Sequence, residues 1–473
     1  MKDKIRLDEL SIFLIFALIL AQNLLMNGYY LFACYLLGLF LFNHLSQPFK
    51  PAVFTIIALN HLLQIVSGIW LANYLEKDIN YRSIYTDRAI ILSLVGMVCL
   101  FAPVIYEQNK LKKLNFNQLK VFSLKLSTQK TLYLYVAALF ITSILSGLAF
   151  VFSGFTQIIL SVVKIKWFFF LLFGYQSILK KEKLPIFYLL IGLEFVTGFY
   201  SFFSDFKTVI YYLGVLLISF VVTINFRQLV LISILGAVLA YMGILWTSVK
   251  TDYRAFLNKG NNSQSVSVSK DEAVDKLLLL SGNSNKNGND NAIIDLLDRL
   301  QYTFHFAKTL ERVPDIIPFQ NGENWLANIE FSTTPRFLNP DKPTIDNSVK
   351  ATKYTGIQYA TAKQGTSFSL GYFAEFYIDF GPYFMMPMLL LLGVIYSKIY
   401  KFFSTKISDN PVFNYSVVGA FFFEFYSYEM DGTYLSGRLL ASLVTFFLLF
   451  YLFSKPLIRF ISTDNNENIA AKD

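Results

Sequence analysis

Residues 229–246 read Leu-Val-Leu-Ile-Ser-Ile-Leu-Gly-Ala-Val-Leu-Ala-Tyr-Met-Gly-Ile-Leu-Trp and contain no charged side chain. At about 1.5 Å per residue, a helix of this length covers most of a hydrocarbon core roughly 30 Å thick. In lipid every backbone N–H and C=O must find a partner within the protein, and a helix satisfies them alone. The following residues, Thr247-Ser-Val-Lys-Thr-Asp-Tyr-Arg254, change character at once, and the chain stays polar until Tyr383. That long interruption organises everything around it. A chain that only conducts or transports has little need of it, whereas a membrane enzyme seating a water-soluble substrate beside a lipid-anchored one does.

Working outward, the composition agrees. Of 473 residues, 55% are hydrophobic and 17% aromatic, far beyond an ordinary soluble protein. Apolar runs at 10–26, 28–44, 52–75, 88–106, 131–152, 157–179, 185–201, 208–225, 228–248, 381–400, 411–428 and 437–454 predict an all-α polytopic fold with about twelve spans. The first run also has the length of a signal peptide, but no small-residue cleavage site follows it, so it reads as a span. Three regions result: residues 1–248 with nine spans, a loop over 249–380, and 381–473 with three spans and a tail.

Loop charges give the orientation. With Lys2, Lys4 and Arg6 in the cytoplasm, alternate loops should be basic. They hold Lys50; Lys110, Lys112, Lys113, Lys120, Lys125 and Lys130; Lys180, Lys181 and Lys183; Arg227; Lys398, Lys401 and Lys406; and Lys455 and Arg459. Both termini are therefore expected inside and the long loop outside. The net charge of +9 is accounted for by these loops and does not call for nucleic acid. Cys34 and Cys99 lie in apolar runs, and His44, His61 and His305 are widely separated, so neither a disulfide framework nor a metal site is expected.

Within the loop, 260–268 and 281–291 are rich in Ser, Asn and Gly, while 271–280 and 291–313 have amphipathic helical spacing. Pro314 to Pro343 is expected to be irregular. No internal repeat is visible, which disfavours transporter folds built from repeated halves.

Several charged residues have the chemistry of a site. Arg254 leaves the ninth span near the outer headgroup plane, where its planar fork suits phosphate oxygens; an interfacial arginine snorkelling to lipid has the same position. In Thr334-Pro-Arg-Phe-Leu-Asn-Pro-Asp-Lys-Pro343, three prolines restrict a loop that presents Arg336 and Lys342, either to an anion or to solvent. Glu375 and Asp379 are four apart among aromatics and share a helical face, as a candidate acid–base pair or as surface charges. Lys164 and Lys166 lie inside the sixth span, where ionisable groups are costly and face a cavity or a partner. Two residues apart, they cannot share a face. Arg438 opens the twelfth span after Glu429 and Asp431, as an anion contact or an ion-pair partner of one of those acids. His305, between Phe304 and Phe306, reads as a packed or surface histidine. There is no phosphate-cradling Gly-rich loop, GxSxG, HExxH or outer DxD, so neither nucleotide-driven chemistry nor a cofactor is indicated.

Three pieces together resemble the Wzy-type polymerases of bacterial O-antigen, within the O-antigen polymerase–ligase superfamily. They are Val249-Lys-Thr-Asp-Tyr-Arg254, Thr334–Pro343, and Gly371…Glu375…Asp379-Phe-Gly381. The resemblance covers the whole chain in architecture. It implies a GT-C-like, metal-independent, inverting transfer at the periplasmic face of the bacterial inner membrane. A hydroxyl of one undecaprenyl-pyrophosphate-linked repeat unit would attack the anomeric carbon of a second lipid-linked glycan. Arg254, Arg336 and Arg438 would neutralise the pyrophosphate with help from Lys342 or Lys164; Glu375, then Asp379, would orient or deprotonate the acceptor. A chain-length regulator is an implied partner. The alternatives are an O-antigen ligase, whose outer loop carries a histidine close to the final Gly/Glu-rich stretch, and a twelve-helix flippase or transporter. His305 lies well before that stretch, which favours the polymerase. A pure assembly scaffold would leave the deep Lys164 and Lys166 without a purpose.

Overall fold

A computed structural model describes residues 5–22, 24–152, 155–199, 206–259, 268, 270–284, 289–334, 339, 342, 346–361 and 367–463. Strand β1 (Arg6–Leu7) is followed by α1 (Glu9–Gln22), α2 (Gly28–Leu45), α3 (Val53–Tyr74), α4 (Thr86–Lys110) and α5 (Phe116–Leu124). Next come α6 (Thr128–Val151), α7 (Thr156–Val163), α8 (Ile165–Lys180), α9 (Leu184–Phe199), α10 (Phe206–Phe220), β2 (Thr223–Ile224) and α11 (Phe226–Leu257). The polar interruption holds α12 (Lys270–Ser284), α13 (Asn289–Leu300), α14 (Thr303–Arg312), α15 (Glu323–Thr333) and α16 (Asn347–Thr355). The chain closes with α17 (Tyr372–Thr405), α18 (Pro411–Phe422), α19 (Gly432–Phe446) and α20 (Ser454–Ile461).

Among the described residues, eight helices are long and apolar enough to cross a membrane, and Glu9–Gln22, Leu184–Gly198 and Phe206–Phe220 are shorter apolar helices. The outward faces are apolar too: Phe13, Phe140, Leu231 and Ile234 are all more than half exposed. Water would not tolerate so continuous an apolar surface, but lipid is a suitable solvent for it. The chain is a helical polytopic membrane protein.

Starts and stops follow local chemistry. Asn225 and Gln228 form a reciprocal capping box that starts α11, and Asn410 caps α18 ahead of Pro411 in its first turn. Helices α4 and α17 run against one another, and at Gly393 an added Cβ would sit 2.2 Å from the Leu100 carbonyl oxygen. Only glycine allows that approach, the small-residue contact typical of helices packed in lipid.

The loops divide between two ends of the bundle. At one end β1 pairs with β2, the Phe49 N–H donates to the Ser219 carbonyl (2.7 Å), Asn410 Nδ2 donates to the Phe122 carbonyl (2.9 Å), and Lys130 Nζ reaches the Ser462 carbonyl (3.1 Å). At the other, Asn27 Nδ2 donates to Asn73 and to the Lys77 carbonyl (2.9 Å each), Arg82 pairs with Asp298, and the Tyr302 N–H donates to the Gln64 carbonyl (3.1 Å). The basic loops gather at the first end and the polar interruption covers the second.

Four local expectations need correction. The amphipathic stretch 291–313 is two helices, because Tyr302 gives its N–H to Gln64 of α3 while the Gln301 side chain accepts the Phe304 N–H (3.0 Å). The stretch from Pro314 to Pro343 is not wholly irregular: α15 fits between Pro318 and Pro335, where no proline removes a donor. The sixth span breaks at Lys164. The tenth extends outward to Tyr372 through a kink at Gly381, whose φ of 68° and ψ of −178° belong to glycine.

Candidate functional site

Glu375 and Asp379 do share a face of α17, and that face meets α15. One Glu375 oxygen accepts from Asn328 Nδ2 and the Gly432 N–H (3.0 Å each); the other lies 2.9 Å from Lys350 Nζ. One helical turn on, Asp379 accepts from Asn324 Nδ2 (2.7 Å) and the Trp325 N–H (2.8 Å). Asn324 and Asn328 are themselves four apart on α15, so the two i,i+4 pairs mate. Helix α15 starts at Gly322, which has no side chain to cap it, and Asp379 supplies the cap from outside, where a carboxylate also complements the helix dipole. Both carboxylates are 1% exposed and have charged or N–H partners. They brace the outer loop against the spans.

Asp431 joins the brace as N-cap of α19, accepting from the Thr433 (2.8 Å) and Tyr434 (2.9 Å) N–H groups and from Asn347 Nδ2. Burial, with the Glu375 charge second, pushes its carboxyl up to about 6. Burial works against the Lys350 ammonium, but Glu375 and then Asp431 outweigh it, and its pKa is raised.

Lys164 and Arg438 converge elsewhere. Lys164, at the break between α7 and α8, lies 3.1 Å from Glu424, which also accepts from Ser442 (2.7 Å) and feels the charge of Arg438 on α19. Arg438 thus acts on Glu424, an acid that sequence reasoning did not consider. Lys166 points away, as the spacing requires, to Glu194 (3.0 Å), which accepts from Tyr135 (2.6 Å).

Arg254 lies in a third group. Arg299 of α13 acts on it electrostatically, and the main charges acting on Lys250, one turn earlier on α11, are Arg299, Arg254, Lys207 and the acid Glu429. Lys207 and Arg299 are exposed, while Lys250, Arg254 and Glu429 are half-buried. Tyr302, whose phenol burial and Glu429 push well above its ordinary value, interacts with that carboxylate. Four cations and one half-buried carboxylate thus act on one another electrostatically around the packing of α13 against α11. Such a cluster can bind a polyanion and accept a proton beside it.

Lys342 caps instead: its ammonium donates to the Phe331 and Thr334 (2.6 Å) carbonyls at the C-terminus of α15 and lies 3.6 Å above the Phe331 ring. Arg336 lies outside the described residues. His305 is packed, its Nδ1 2.7 Å from the Tyr359 hydroxyl, and burial lowers its pKa to about 4.

Lys207, Lys250 and Arg299 were not singled out by sequence reasoning, and Glu429 was considered only as an ion-pair partner of Arg438. The available signal was position: Lys207 and Lys250 flank the apolar runs 208–225 and 228–248 on the side of the long polar interruption.

No curated protein and no solved structure matches the chain. Residues 88–458, most of its length and all of the groups above except the N-terminal contacts, match a family described as a domain of unknown function, DUF8712, and the chain belongs to that family.

Proposed function

We propose that this protein is a glycosyltransferase that joins undecaprenyl-pyrophosphate-linked oligosaccharide repeat units at the periplasmic face of the bacterial inner membrane. In this reading the fold is a GT-C-like bundle of about twelve spans with both termini in the cytoplasm. The gathering of basic loops at one end of the bundle supports that orientation. The observation that carries the reading is the Lys207, Lys250, Arg254 and Arg299 group at the opposite end, with Glu429 among them.

Transfer from a lipid diphosphate needs no external energy source, since the leaving group already holds it. The acceptor hydroxyl attacks the anomeric carbon; the bond from that carbon to the diphosphate oxygen breaks with inversion, and the electron pair leaves with the diphosphate. Lys250, Arg254 and Arg299 stabilise the charge growing on that oxygen, which is the largest lever available to such a site. Glu429 takes the hydroxyl proton. Glu375 and Asp379 fix the wall against which the acceptor is held, with Lys350 as the counter-charge of Glu375. Lys164 and Arg438 lie apart from this group, beside Glu424, and Arg336 keeps the anion-binding role that the resemblance implies.

Deletion of the encoding gene should leave surface lipid bearing a single repeat unit, and the wild-type gene should restore the ladder of long chains. Arg254→Ala or Arg299→Ala protein, present in the membrane at normal level, should not restore it. A full ladder with both variants overturns the reading. Surface lipid with no repeat unit at all on deletion points to a ligase or a flippase instead.

A further inference from the structure

The kink at Gly381 opens a cavity of about 620 Å³ between the outer ends of α4 and α17. Its walls include Tyr85 and Arg88 from α4's first turn, Phe319 and Asn321 from the loop before α15, and Tyr377 and Tyr383 on either side of the kink. Asp315 adds a carboxylate, and together with Arg88 and Tyr85 it acts electrostatically on Tyr377.

These walls are fixed in place. Pro382 has no N–H and Gly381 leaves helical geometry, so carbonyls of the preceding turn lose their helical donors. The loop supplies replacements: the Gln320 N–H donates to Ile378 (3.0 Å) and the Asn321 N–H to Asp379 (2.9 Å). The Tyr377 hydroxyl donates to the Val313 carbonyl (2.9 Å), and the Phe319 ring lies where a Cβ on Gly381 would approach to 3.1 Å. The Asp379 cap on α15 ties down the far end of the same loop.

The chemistry of the lining selects its guest. Aromatic faces are electron-rich and attract the polarised C–H groups on the flat face of a pyranose. A planar guanidinium, a carboxylate and an amide at the rim match vicinal hydroxyls, which both donate and accept. The volume lies within the roughly 300–1,000 Å³ of small-molecule sites. An interfacial aromatic belt would explain Tyr383, 84% exposed, but not a concave site that also presents Arg88, Asp315 and Asn321.

We infer that this cavity is a saccharide subsite which holds sugar residues of the acceptor glycan; the assignment to the acceptor rests on the transfer reading above. The test uses the full chain in nanodiscs, with oligosaccharides released by mild acid from the source strain's surface polysaccharide. Saturation-transfer NMR should show transfer from protein aromatic protons to sugar protons. Tyr383→Ala, on an exposed side chain that the fold does not need, and Arg88→Ala should each weaken binding at least about fivefold. Arg254→Ala should leave it unchanged. No transfer with wild type, or undiminished transfer in both cavity variants, overturns the subsite. A signal that anionic lipid in the disc abolishes means the cavity takes a headgroup, and overturns it as well. If the cavity variants lose sugar binding while Arg254→Ala and Arg299→Ala both still make long chains, the transfer reading fails and the saccharide site stands. If Arg299→Ala makes none while both cavity variants bind sugar normally, the subsite alone fails.

Discussion

Lys350→Met removes the counter-charge of two buried carboxylates at once. Its ammonium lies 2.9 Å from Glu375 and is 21% exposed at the side chain, against 1% for the acid. Two charges about 4 Å apart at an effective dielectric near 20 attract by about 4 kcal/mol, and breaking such a buried pair costs about 3–5 kcal/mol because the orphaned charge stays buried. Lysine's partial exposure places the expected loss near the lower end, about 3 kcal/mol. Glu375→Gln keeps the shape, accepts from Gly432 and leaves Lys350 with Asp431, so it should cost less, and the double variant less than the sum. The pH dependence carries a sign. Asp431 titrates near 6 in the folded chain against about 3.9 unfolded. The folded state therefore binds the extra proton between those values, and stability from this group is lost as pH rises from about 4 through 6. Lys350 holds that carboxyl down, so its removal pushes the window to higher pH. Thermal unfolding in detergent should show Lys350→Met melting about 3 °C below wild type at pH 7.5, with the gap narrowing at pH 5. A melting temperature within a degree of wild type at both pH values would refute the argument.

Gly381→Ala places a side chain at φ 68°, ψ −178° and against Phe319. The expected cost is about 1–3 kcal/mol, read as a lowered unfolding temperature. Asp379→Ala uncaps α15 and strands the donors of Asn324 and Trp325; deuterium uptake at 322–330 should accelerate, by about tenfold for each 1.4 kcal/mol lost, with Asp379→Asn milder. Lys164→Met orphans Glu424 inside the bundle, and adding Glu424→Gln should recover most of the lost stability; a double variant worse than the single one would count against a direct pair.

What was legible from sequence, and what was not, follows from which forces act locally. A bilayer demands long uncharged runs, so the apolar segments announce themselves residue by residue, and each contains helix in the structure. The shared face of Glu375 and Asp379 is equally local, a matter of helical spacing. Their partners are not: Asn324 and Asn328 lie on α15, which prolines conceal from any periodicity argument, and Lys350 lies on α16 beyond it. The same holds for Lys164, which was recognisable as needing a partner while Glu424 was not recognisable as that partner.

The cation group sharpens this point, because each member has a bland local explanation. Lys207 and Lys250 pass for ordinary helix-end lysines, Arg254 for an interfacial anchor and Arg299 for the polar side of an amphipathic helix. Only α13 resting on α3 and α11 brings Arg299 to Lys250 and Arg254. Bringing like charges together beside one carboxylate opposes folding, and a protein selected for stability alone would replace any of them at little cost. Their convergence has a physical rationale when an anion joins them. The brace of Glu375, Asp379 and Asp431 then has a second purpose besides stability. It holds the outer loop to α17 and α19, and α13 reaches the cations as part of that same loop. Loosening the brace should therefore weaken anion binding through Arg299 without touching a single cation. In Lys350→Met, the affinity for a soluble prenyl-diphosphate analogue, measured in nanodiscs by calorimetry, should fall at pH 7.5 and recover at pH 5 together with the melting temperature. Affinity unchanged while stability falls would separate brace from site and refute the coupling.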